Sequence, residues 1–464
     1  MPLALELAAA RVKALSSAQI LERLEQRLPL LTGGARDLPE RQRTLRATIA
    51  WSYELLTPGE QRLFARLAIF SGGCTLEAAE KVAEADLDTL QSLVDKSLVR
   101  HTDERYWMLE TIREFAAERL EDSDEAEALG LRHAEHFLAL AEEAEPNLRG
   151  TPKEWLERLE LEHDNLRAAL ERLEAAGEGE TAQRLAGALW RFWSMRGHAV
   201  EGRRRLESTV RADERRTAAR AKALNGATVV ALEVGEIATA RVRAEEALAI
   251  QREIGDPWGT AISLQLLGNV HADEGDFEAA RRLFEEALRR FEQLGDEHQV
   301  LLETRLLAWM SFELGDRERA RALHEDVVRR AAAAGNQPMK ATSLGALAEY
   351  ALYEGRVHDA VPMLEESTRI YQGLRERPEI VVNLFRFARA LAIAGRPVTA
   401  TRLFAAAEAL REEIGAAVYT WVVEMNEGTL DMVRAQLDEA AFAEAWEQGR
   451  ALTVDEAVAL VLDS

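Results

Sequence analysis

The stretch LQLLGNVHADEGDFEAARRLFEEALRR, residues 264–290, holds the clearest copy of a repeat that decides the fold of this chain. Its turn glycine recurs every 40 residues, and a small residue recurs five positions after each glycine. The glycines are Gly235, Gly275, Gly315, Gly355 and Gly395, and the alanines are Ala240, Ala280, Ala320, Ala360 and Ala400. A fixed period of this length is typical of helical units that bury their apolar faces against their neighbours. Most of the chain is therefore predicted to be an α-solenoid.

A second small position precedes the turn, on the first helix of each unit. It is occupied by Thr228, Gly268, Ala308, Ala348 and Ala388. This pattern resembles the tetratricopeptide repeat, in which small residues let the two helices of a unit approach closely. The usual unit has about 34 residues, so a 40-residue unit predicts that each helix is longer by about one turn of ~3.6 residues. Gly197 holds the turn position of a divergent first copy.

The resemblance implies a concave groove lined by the first helices. Counted from the small position, the side chains expected to face it are Arg191, Asn225, Gln265, Asn269, Arg305, Trp309, Glu349, Phe385 and Arg389. Side-chain amides can form hydrogen bonds with the backbone of an extended peptide, and an arginine can bind a carboxylate bidentately. These residues predict a protein or peptide partner. The alternative is that they are ordinary solvated side chains.

Composition limits the other functions. The 464 residues carry a net charge of −23, which disfavours long-range attraction to nucleic acid or anionic membrane. Cys74 is the only cysteine, so an internal disulfide is excluded and a buried structural thiol is expected. The N-terminal sequence has no basic residue before its apolar run, and no run of ~18 apolar residues occurs. We predict a cytoplasmic protein with no membrane contact.

A different pattern precedes the repeats. Helices are predicted at about 42–56, 58–70, 75–84 and 87–97, followed by two short strands at 98–101 and 105–109. Helices followed by a terminal hairpin describe a winged helix. Helical stretches are then predicted over 111–145 and from Lys153 to about Ala176.

Six segments of the sequence together resemble one known protein family. They are LRATIAWSYELLTPGEQRLFARLAIFSGGCTLEAAEKV (45–82), LVDKSLV (93–99), YWMLETIREFAAERL (106–120), WLERLELEHDNLRAALE (155–171), ALWRFWSMRGHAVEGRRRLE (188–207) and AFAEAWEQGRALTVDEAVAL (441–460). Together they resemble STAND-type signalling ATPases, in particular those of bacterial AfsR- and LuxR-like transcriptional regulators. In that family an NB-ARC nucleotide-binding module precedes a winged helix and tetratricopeptide repeats.

Most sequence motifs of the family's nucleotide-binding module are missing from this chain. The module ends in Gly-Leu-Pro-Leu-Ala-Leu, which Met1-Pro2-Leu3-Ala4-Leu5 resembles, so Pro2 is the one residual nucleotide-side contact that the resemblance implies. The sequence contains no Gly-Lys-Ser/Thr, which the phosphate-cradling loop requires. The family's Met-His-Asp motif aligns with Met108-Leu109-Glu110 and lacks its histidine. We expect no cofactor and no ATP hydrolysis by this chain alone, with an ATPase module acting in cis or in trans.

Other chemistry is weakly indicated. The candidate DNA-reading helix, residues 87–97, carries Asp88 and Asp95 against the single Lys96, so direct DNA binding is not expected. His133 and His136 lie three apart on one helix, but no third ligand accompanies them, so no metal site is predicted. No nucleophile–base set is recognisable. We predict that the chain is not an enzyme and has no catalytic residues.

The prediction for the whole chain is an all-α fold: an N-terminal winged-helix domain with a short β-hairpin wing, followed by a tetratricopeptide-type α-solenoid of 40-residue repeats. The predicted domains are a helical remnant of the nucleotide-binding module (1–38), the winged helix (39–121), connecting helices (122–180), the solenoid (181–437) and capping helices (438–464). The predicted function is the sensor and relay module of a STAND-type regulator, in which the repeat groove binds a protein, peptide or small inducer and the winged helix relays the event. The alternative is a stand-alone protein–protein interaction scaffold.

Overall fold

A computed structural model describes residues 45–148, 153–414 and 428–462. The contacts divide the chain into two compact units, Met1–Thr239 and Ala240–Ser464. The described residues are almost entirely helical apart from one small sheet, which confirms the predicted all-α class. Pro2 and the predicted remnant at 1–38 lie outside the described residues.

The first unit begins with the winged helix. Its helices are α1 (Leu45–Glu54), α2 (Pro58–Leu67), α3 (Leu76–Ala83), α4 (Leu87–Asp95) and α5 (Glu110–Glu121), and its strands are β1 (Cys74–Thr75), β2 (Arg100–Thr102) and β3 (Arg105–Trp107). Helix α2 starts with a capping box, in which the Thr57 hydroxyl accepts from the Glu60 amide and the Glu60 carboxylate accepts from the Thr57 amide. Pro58 at the first helical position fixes the same boundary, as predicted.

The wing is a three-stranded antiparallel sheet in the order β1-β3-β2. The two-residue turn between β2 and β3, Asp103-Glu104, has positive φ at both positions, as the type I′ hairpin turn requires. Strand β1 was not predicted, because two residues are too few to show a pattern. Gly73 permits its pairing: φ is +85°, and an added Cβ would lie 2.6 Å from the Tyr106 carbonyl oxygen.

The connecting helices are more broken than predicted. They are α6 (Ala126–Asn147), α7 (Lys153–Leu161) and α8 (His163–Ala175). The first predicted stretch is interrupted between α5 and α6, where the Ser123 hydroxyl donates to the Leu120 carbonyl and accepts from the Glu125 amide. The second is interrupted at Glu162. Both interruptions place an acidic side chain against an arginine of the winged helix: Glu125 pairs with Arg66, and Glu162 with Arg105.

The repeats follow as antiparallel helix pairs. They comprise α9 (Gly179–Met195), α10 (Ala199–Ala212), α11 (Ala218–Glu233), α12 (Ile237–Ile254), α13 (Pro257–Asp273), α14 (Phe277–Leu294), α15 (Glu297–Glu313), α16 (Arg317–Ala333), α17 (Gln337–Tyr353), α18 (Val357–Leu374), α19 (Arg377–Ile393) and α20 (Pro397–Ile414). The alanines five after the turn glycines are fully buried. At Gly268 an added Cβ would lie 2.5 Å from the Phe284 ring, so the small position does allow close approach.

The second unit ends in a helical segment at 428–434, α21 (Glu439–Arg450) and α22 (Val454–Leu462). Val458 and Val461 of α22 belong to the apolar core that α19 and α20 supply with Leu384 and Leu403. The end of the solenoid is thereby covered by helices that do not follow the 40-residue period.

Candidate partner-binding surface

In the second unit, the first helices of three successive repeats each carry one of the predicted groove residues. The three residues occupy equivalent positions, 40 residues apart. Trp309 lies on α15, Glu349 on α17 and Arg389 on α19. The Arg389 Nη1 donates to Glu349 Oε1 at 2.7 Å, so neighbouring units bring these side chains into contact. The Trp309 indole is 37% exposed and donates to Glu313 Oε1 at 2.9 Å. We call Trp309, Glu349 and Arg389 the first-helix row.

An aromatic cluster adjoins the row. The Phe312 and Tyr350 rings are stacked with centroids 4.4 Å apart, and the Tyr353 centroid is 5.7 Å from that of Phe312. Tyr353 is 51% exposed, and the Arg389 guanidinium lies 4.3 Å above its ring. Tyr353 was missed by the sequence analysis, because the equivalent positions of adjacent repeats hold Glu313 and Ile393. An exposed tyrosine in contact with an arginine, one repeat after an exposed tryptophan, is a composition typical of protein-binding surfaces.

Glu349, the acidic residue of the first-helix row, accepts hydrogen bonds from two arginines. The Arg386 Nε donates to Glu349 Oε2 at 3.3 Å, and its Nη1 donates to Asn383 Oδ1 at 3.1 Å. The side chains of Glu349, Arg386 and Arg389 are between 10% and 15% exposed. The carboxylate that Arg389 was predicted to take from a partner is thus supplied by Glu349 of the same chain. Glu349, Arg386 and Arg389 thus form a cluster of one acidic and two basic side chains, and Tyr353 lies beside it.

The other predicted residues differ in accessibility. Gln265 is buried, whereas Asn269 and Arg305 are half-buried on α13 and α15. Phe385 is 1% exposed and packs against Phe404 with ring centroids 5.1 Å apart. This phenylalanine faces the apolar core rather than a groove, because its position on α19 meets α20. Phe385 is therefore not part of the candidate partner-binding surface.

Two predicted residues belong to the first unit. The half-buried Arg191 stacks on the neighbouring Trp190 ring at 4.3 Å, and Asn225 is buried on α11. Their ligand-binding role stays a prediction.

In a winged helix that binds DNA, α4 would contact the bases. Here Ser92 of α4 and its C-cap residue Lys96 bond to another helix of the same domain. Lys96 and Ser92 both donate to Glu60 Oε1 at 2.5 Å. These hydrogen bonds lower the pKa of the Glu60 carboxyl to about 2. The one lysine of this segment is therefore engaged by α2.

The other titratable groups singled out from the sequence are structural. Burial raises the pKa of the Cys74 thiol to about 12, so the thiol is protonated and unreactive near neutral pH. His133 is buried between Phe70 and Phe137, and its Nδ1 lies 3.0 Å from Arg172 Nη1. Burial, with the nearby arginine charge, lowers the pKa of His133 well below its ordinary value.

Two family models match the chain. That of the winged helix-turn-helix domain matches residues 56–121, and that of the tetratricopeptide repeat matches residues 219–293. The predicted winged helix and repeats are thus confirmed as domains of this protein. Among the described helices, none combines the length and apolarity that crossing a bilayer demands.

Similar proteins occur in mycobacteria. A protein of Mycobacterium tuberculosis strain H37Rv named "Putative HTH-type transcriptional regulator" is 39% identical over 288 residues, which cover 58% of this chain and 32% of that protein. A Mycobacterium bovis protein of the same name gives the same values. An uncharacterized M. tuberculosis protein is 38% identical over 148 residues, or 29% of this chain and 38% of that one. The chain spans about a third of the length of these curated relatives.

One solved structure matches almost the whole chain. It is a STAND protein with a tetratricopeptide repeat sensor from Pyrococcus horikoshii, with a TM-score of 0.50 and 13% identity over 96% of this chain and 71% of that one. At this identity the likeness concerns the fold alone.

Proposed function

We propose that this chain is the sensor and relay module of a STAND-type transcriptional regulator. The repeats bind a protein or peptide, and the winged helix passes the event on to an NB-ARC-type ATPase module in cis or in trans. The two matched domains and the name of the mycobacterial relatives support a regulatory module. The resemblance of the six sequence segments to AfsR- and LuxR-like regulators supports the finer assignment.

The observation that carries the sensor role is the first-helix row with its aromatic neighbour. Trp309 and Tyr353 expose large aromatic surfaces, as Trp258 does on α13, whereas Phe284, Phe291 and Phe385 of the same repeats are fully buried. Tryptophan, tyrosine and arginine are the residue types that contribute most to binding energy when a partner covers them. Because the row crosses three repeats, one extended ligand can contact several units at once.

The observation that supports a relay lies within the first unit. Asn165 on α8 accepts from the Ser71 amide at 2.8 Å and donates to the Gly73 carbonyl at 2.9 Å. Arg105 on β3 donates to the same carbonyl at 3.1 Å and pairs with Glu162. Helix α8 is therefore joined to the winged helix by polar contacts that are at least partly buried. Because these contacts fix one element against the other, a displacement of α8 would move the winged helix with it.

A photo-crosslinking pair tests the sensor role. We place the crosslinking amino acid at Trp309 in one variant and at the exposed Arg289, on second helix α14, in the matched control. In cells that encode the protein, we expect one discrete product from position 309 and none of that product from position 289. The same product from both positions would contradict the sensor assignment and favour the alternative, a scaffold that binds through its outer face.

The identified partner then allows a quantitative test. Replacing Asn269 or Arg305 by Ala should weaken binding by about 1–3 kcal/mol each, because a polar group of the partner is left unpaired. Arg389→Ala should weaken binding by a similar amount, because it removes the guanidinium that pairs with Glu349 and stacks on Tyr353. Arg289→Ala and Arg329→Ala, at exposed second-helix positions, serve as controls and should leave the affinity unchanged. Affinity that follows the second-helix variants instead would overturn the assignment.

The proposed absence of enzymatic activity has its own measurement. The purified chain should neither bind nor hydrolyse ATP above background, because its sequence lacks the Gly-Lys-Ser/Thr of a phosphate-binding loop. ATP turnover that persists through a second purification would show that this chain contains an active nucleotide site.

A further inference from the structure

Three potential metal ligands converge in the first unit, away from the partner-binding surface. They are Glu160 near the end of α7, His163 at the start of α8 and His198 in the turn between α9 and α10. One ligand atom of each lies within 4.8 Å of the others. The His198 Nε2 is 3.3 Å from both carboxylate oxygens of Glu160, and the two imidazole rings have centroids 4.4 Å apart.

The structure gives His198 no helix-capping role. It occupies the N-cap position of α10, where Asp276 and Asp316 of later repeats accept a hydrogen bond from the first turn of their helices. His198 makes no such bond. His198 shares this lack of a capping bond with Arg356 at the equivalent position of a later repeat, so the position tolerates residues without a capping role. Its side chain points instead toward Glu160 and His163.

His163 carries the second, independent indication. Its side chain is 7% exposed, and its Nε2 is buried without a hydrogen-bond partner. A buried polar atom left in this state costs free energy, so such atoms are uncommon in native proteins. The nearest carboxylate oxygen, Glu201 Oε2, is 3.5 Å away, and Glu201 is already held by both guanidinium prongs of Arg167. An ion bound between His163 and His198 would satisfy the buried nitrogen.

We propose that Glu160, His163 and His198 bind a divalent transition-metal ion of the zinc type. Two imidazole nitrogens and one carboxylate oxygen form a donor set that suits Zn²⁺ and leaves one coordination position open. Tetrahedral ligands at ~2.0–2.1 Å from zinc lie about 3.3 Å from one another. The Glu160–His198 distance already has this value, and the ligand atom of His163 lies within 4.8 Å of the other two.

Several arginines lie near the three ligands. Arg167 is paired with Glu201 and Arg203 with Glu236, whereas Arg196 approaches the ligand Glu160 itself to 3.7 Å. A surface depression adjoins His198. The depression is lined by Gly197, His198, Val200, Glu201, Arg203 and Arg204.

The consequence of binding is mechanical. The ligands come from two connecting helices and from the turn of the first helix pair, and all three elements belong to the first unit. A bound ion would tie α7 and α8 to α9 and α10. Because an ion that binds only the folded state stabilises it by mass action, the melting temperature of this unit should rise with metal concentration.

The test uses the full chain without a histidine tag, freed of metal by a chelator and titrated with ZnCl₂ or CoCl₂. We expect one Zn²⁺ per chain by calorimetry, the visible absorption of tetrahedral Co²⁺, and a melting temperature raised by Zn²⁺ but not by MgCl₂. Absence of one-to-one binding, or an equal rise with MgCl₂, would overturn the proposal.

Two variants locate the site without disturbing the buried histidine. Glu160→Gln and His198→Gln change residues that are not fully buried and should weaken Zn²⁺ binding by at least about tenfold. His358→Gln, at a fully exposed histidine, is the matched control and should bind Zn²⁺ as the unaltered chain does. If both site variants keep the original affinity while their melting temperatures without metal are unchanged, Zn²⁺ binds elsewhere and the proposal is wrong.

Discussion

The winged-helix part of the first unit and the repeats of the second unit bury their polar side chains in different ways. Around the winged helix, single residues far apart in sequence meet in paired, buried contacts, such as Asn165 with Ser71 and Arg66 with Glu125. In the repeats, the recurring buried positions are small and apolar, with Ala280, Ala320 and Ala360 fully buried. Polar side chains that interrupt this pattern occur at particular repeats only.

One repeat position illustrates the difference. Asn383 is fully buried and donates to Ser367 Oγ at 2.9 Å and to Thr368 Oγ1 at 3.2 Å. The equivalent residue two repeats earlier, Glu303, is also fully buried, but neither carboxylate oxygen has a hydrogen-bond partner. The positions equivalent to Ser367 and Thr368 are there Ala287 and Leu288. Asn383 and Glu303 therefore differ in pairing because the helix that faces Asn383 carries the Ser367 and Thr368 hydroxyls.

The largest effect is expected where polar contacts replace periodicity. Asn165→Ala removes the acceptor of the Ser71 amide and a donor to Glu162, and should lower the free energy of unfolding of the first unit by about 3 kcal/mol. Urea denaturation measures the loss, and hydrogen exchange should speed up in residues 69–73.

The matched control is Asn147→Ala, at an exposed asparagine near the end of α6, which should change stability by less than about 0.5 kcal/mol. Similar small effects for both asparagines would mean that the contacts around Asn165 do not hold the winged helix against α8.

A smaller effect is expected from the periodic packing. Ala320→Leu inserts three carbon atoms at a fully buried position of α16 and should cost about 2 kcal/mol through overpacking. The same change at the exposed Ala332 on this helix, and Asn269→Ala on α13, should leave the melting temperature nearly unchanged. Equal destabilisation by the two leucines would show that the register assigned to the second helices is wrong.

The smallest effect is expected at Glu303 and depends on pH. Burial raises the pKa of this carboxyl well above 4.5, so the folded state favours the protonated form. The wild-type stability contribution is therefore complete below about pH 4.5 and declines as pH rises through the raised pKa. Glu303→Gln cannot ionise, so its urea midpoint should match the wild type at pH 4.5 and exceed it increasingly toward pH 8.

The control for this titration is Glu292→Gln, at an exposed glutamate of α14, whose difference from the wild type should not grow with pH. A constant difference for Glu303→Gln as well would mean that its carboxyl is solvated or paired in the folded protein.

How much could be read from the sequence differs between the two regions. The solenoid, its helix pairs and the burial of Ala240 to Ala400 every 40 residues were predictable, because a repeated local pattern needs only its neighbours to form a core. Strand β1 and the breaks before α6 and at Glu162 were not predictable. Strand β1 pairs with Tyr106, and the break at Glu162 places that side chain against Arg105, both distant in sequence. The break before α6 combines the local Ser123 hydrogen bonds with the distant pair of Glu125 and Arg66.

The candidate sites divide in the same way. The period placed Glu349 and Arg389 at equivalent positions of adjacent repeats, but their ion pair and the stacking of Arg389 on Tyr353 follow from the distance between the packed helices. Phe385 followed the same count and proved to be a core residue. A period specifies the helix position of a residue, whereas the local twist and the neighbouring side chains decide whether it is exposed.

By itself, the sequence determined the class of fold, the repeat length, the turns and the small residues at which the helices meet, since these follow from local conformational preference and a regular pattern of burial. Only the tertiary structure decided which polar residues are paired and which are not. It brought His163 and His198, 35 residues apart, to Glu160, and left the buried carboxyl of Glu303 without a partner. Such contacts depend on how separate helices pack, and no local sequence pattern encodes that geometry.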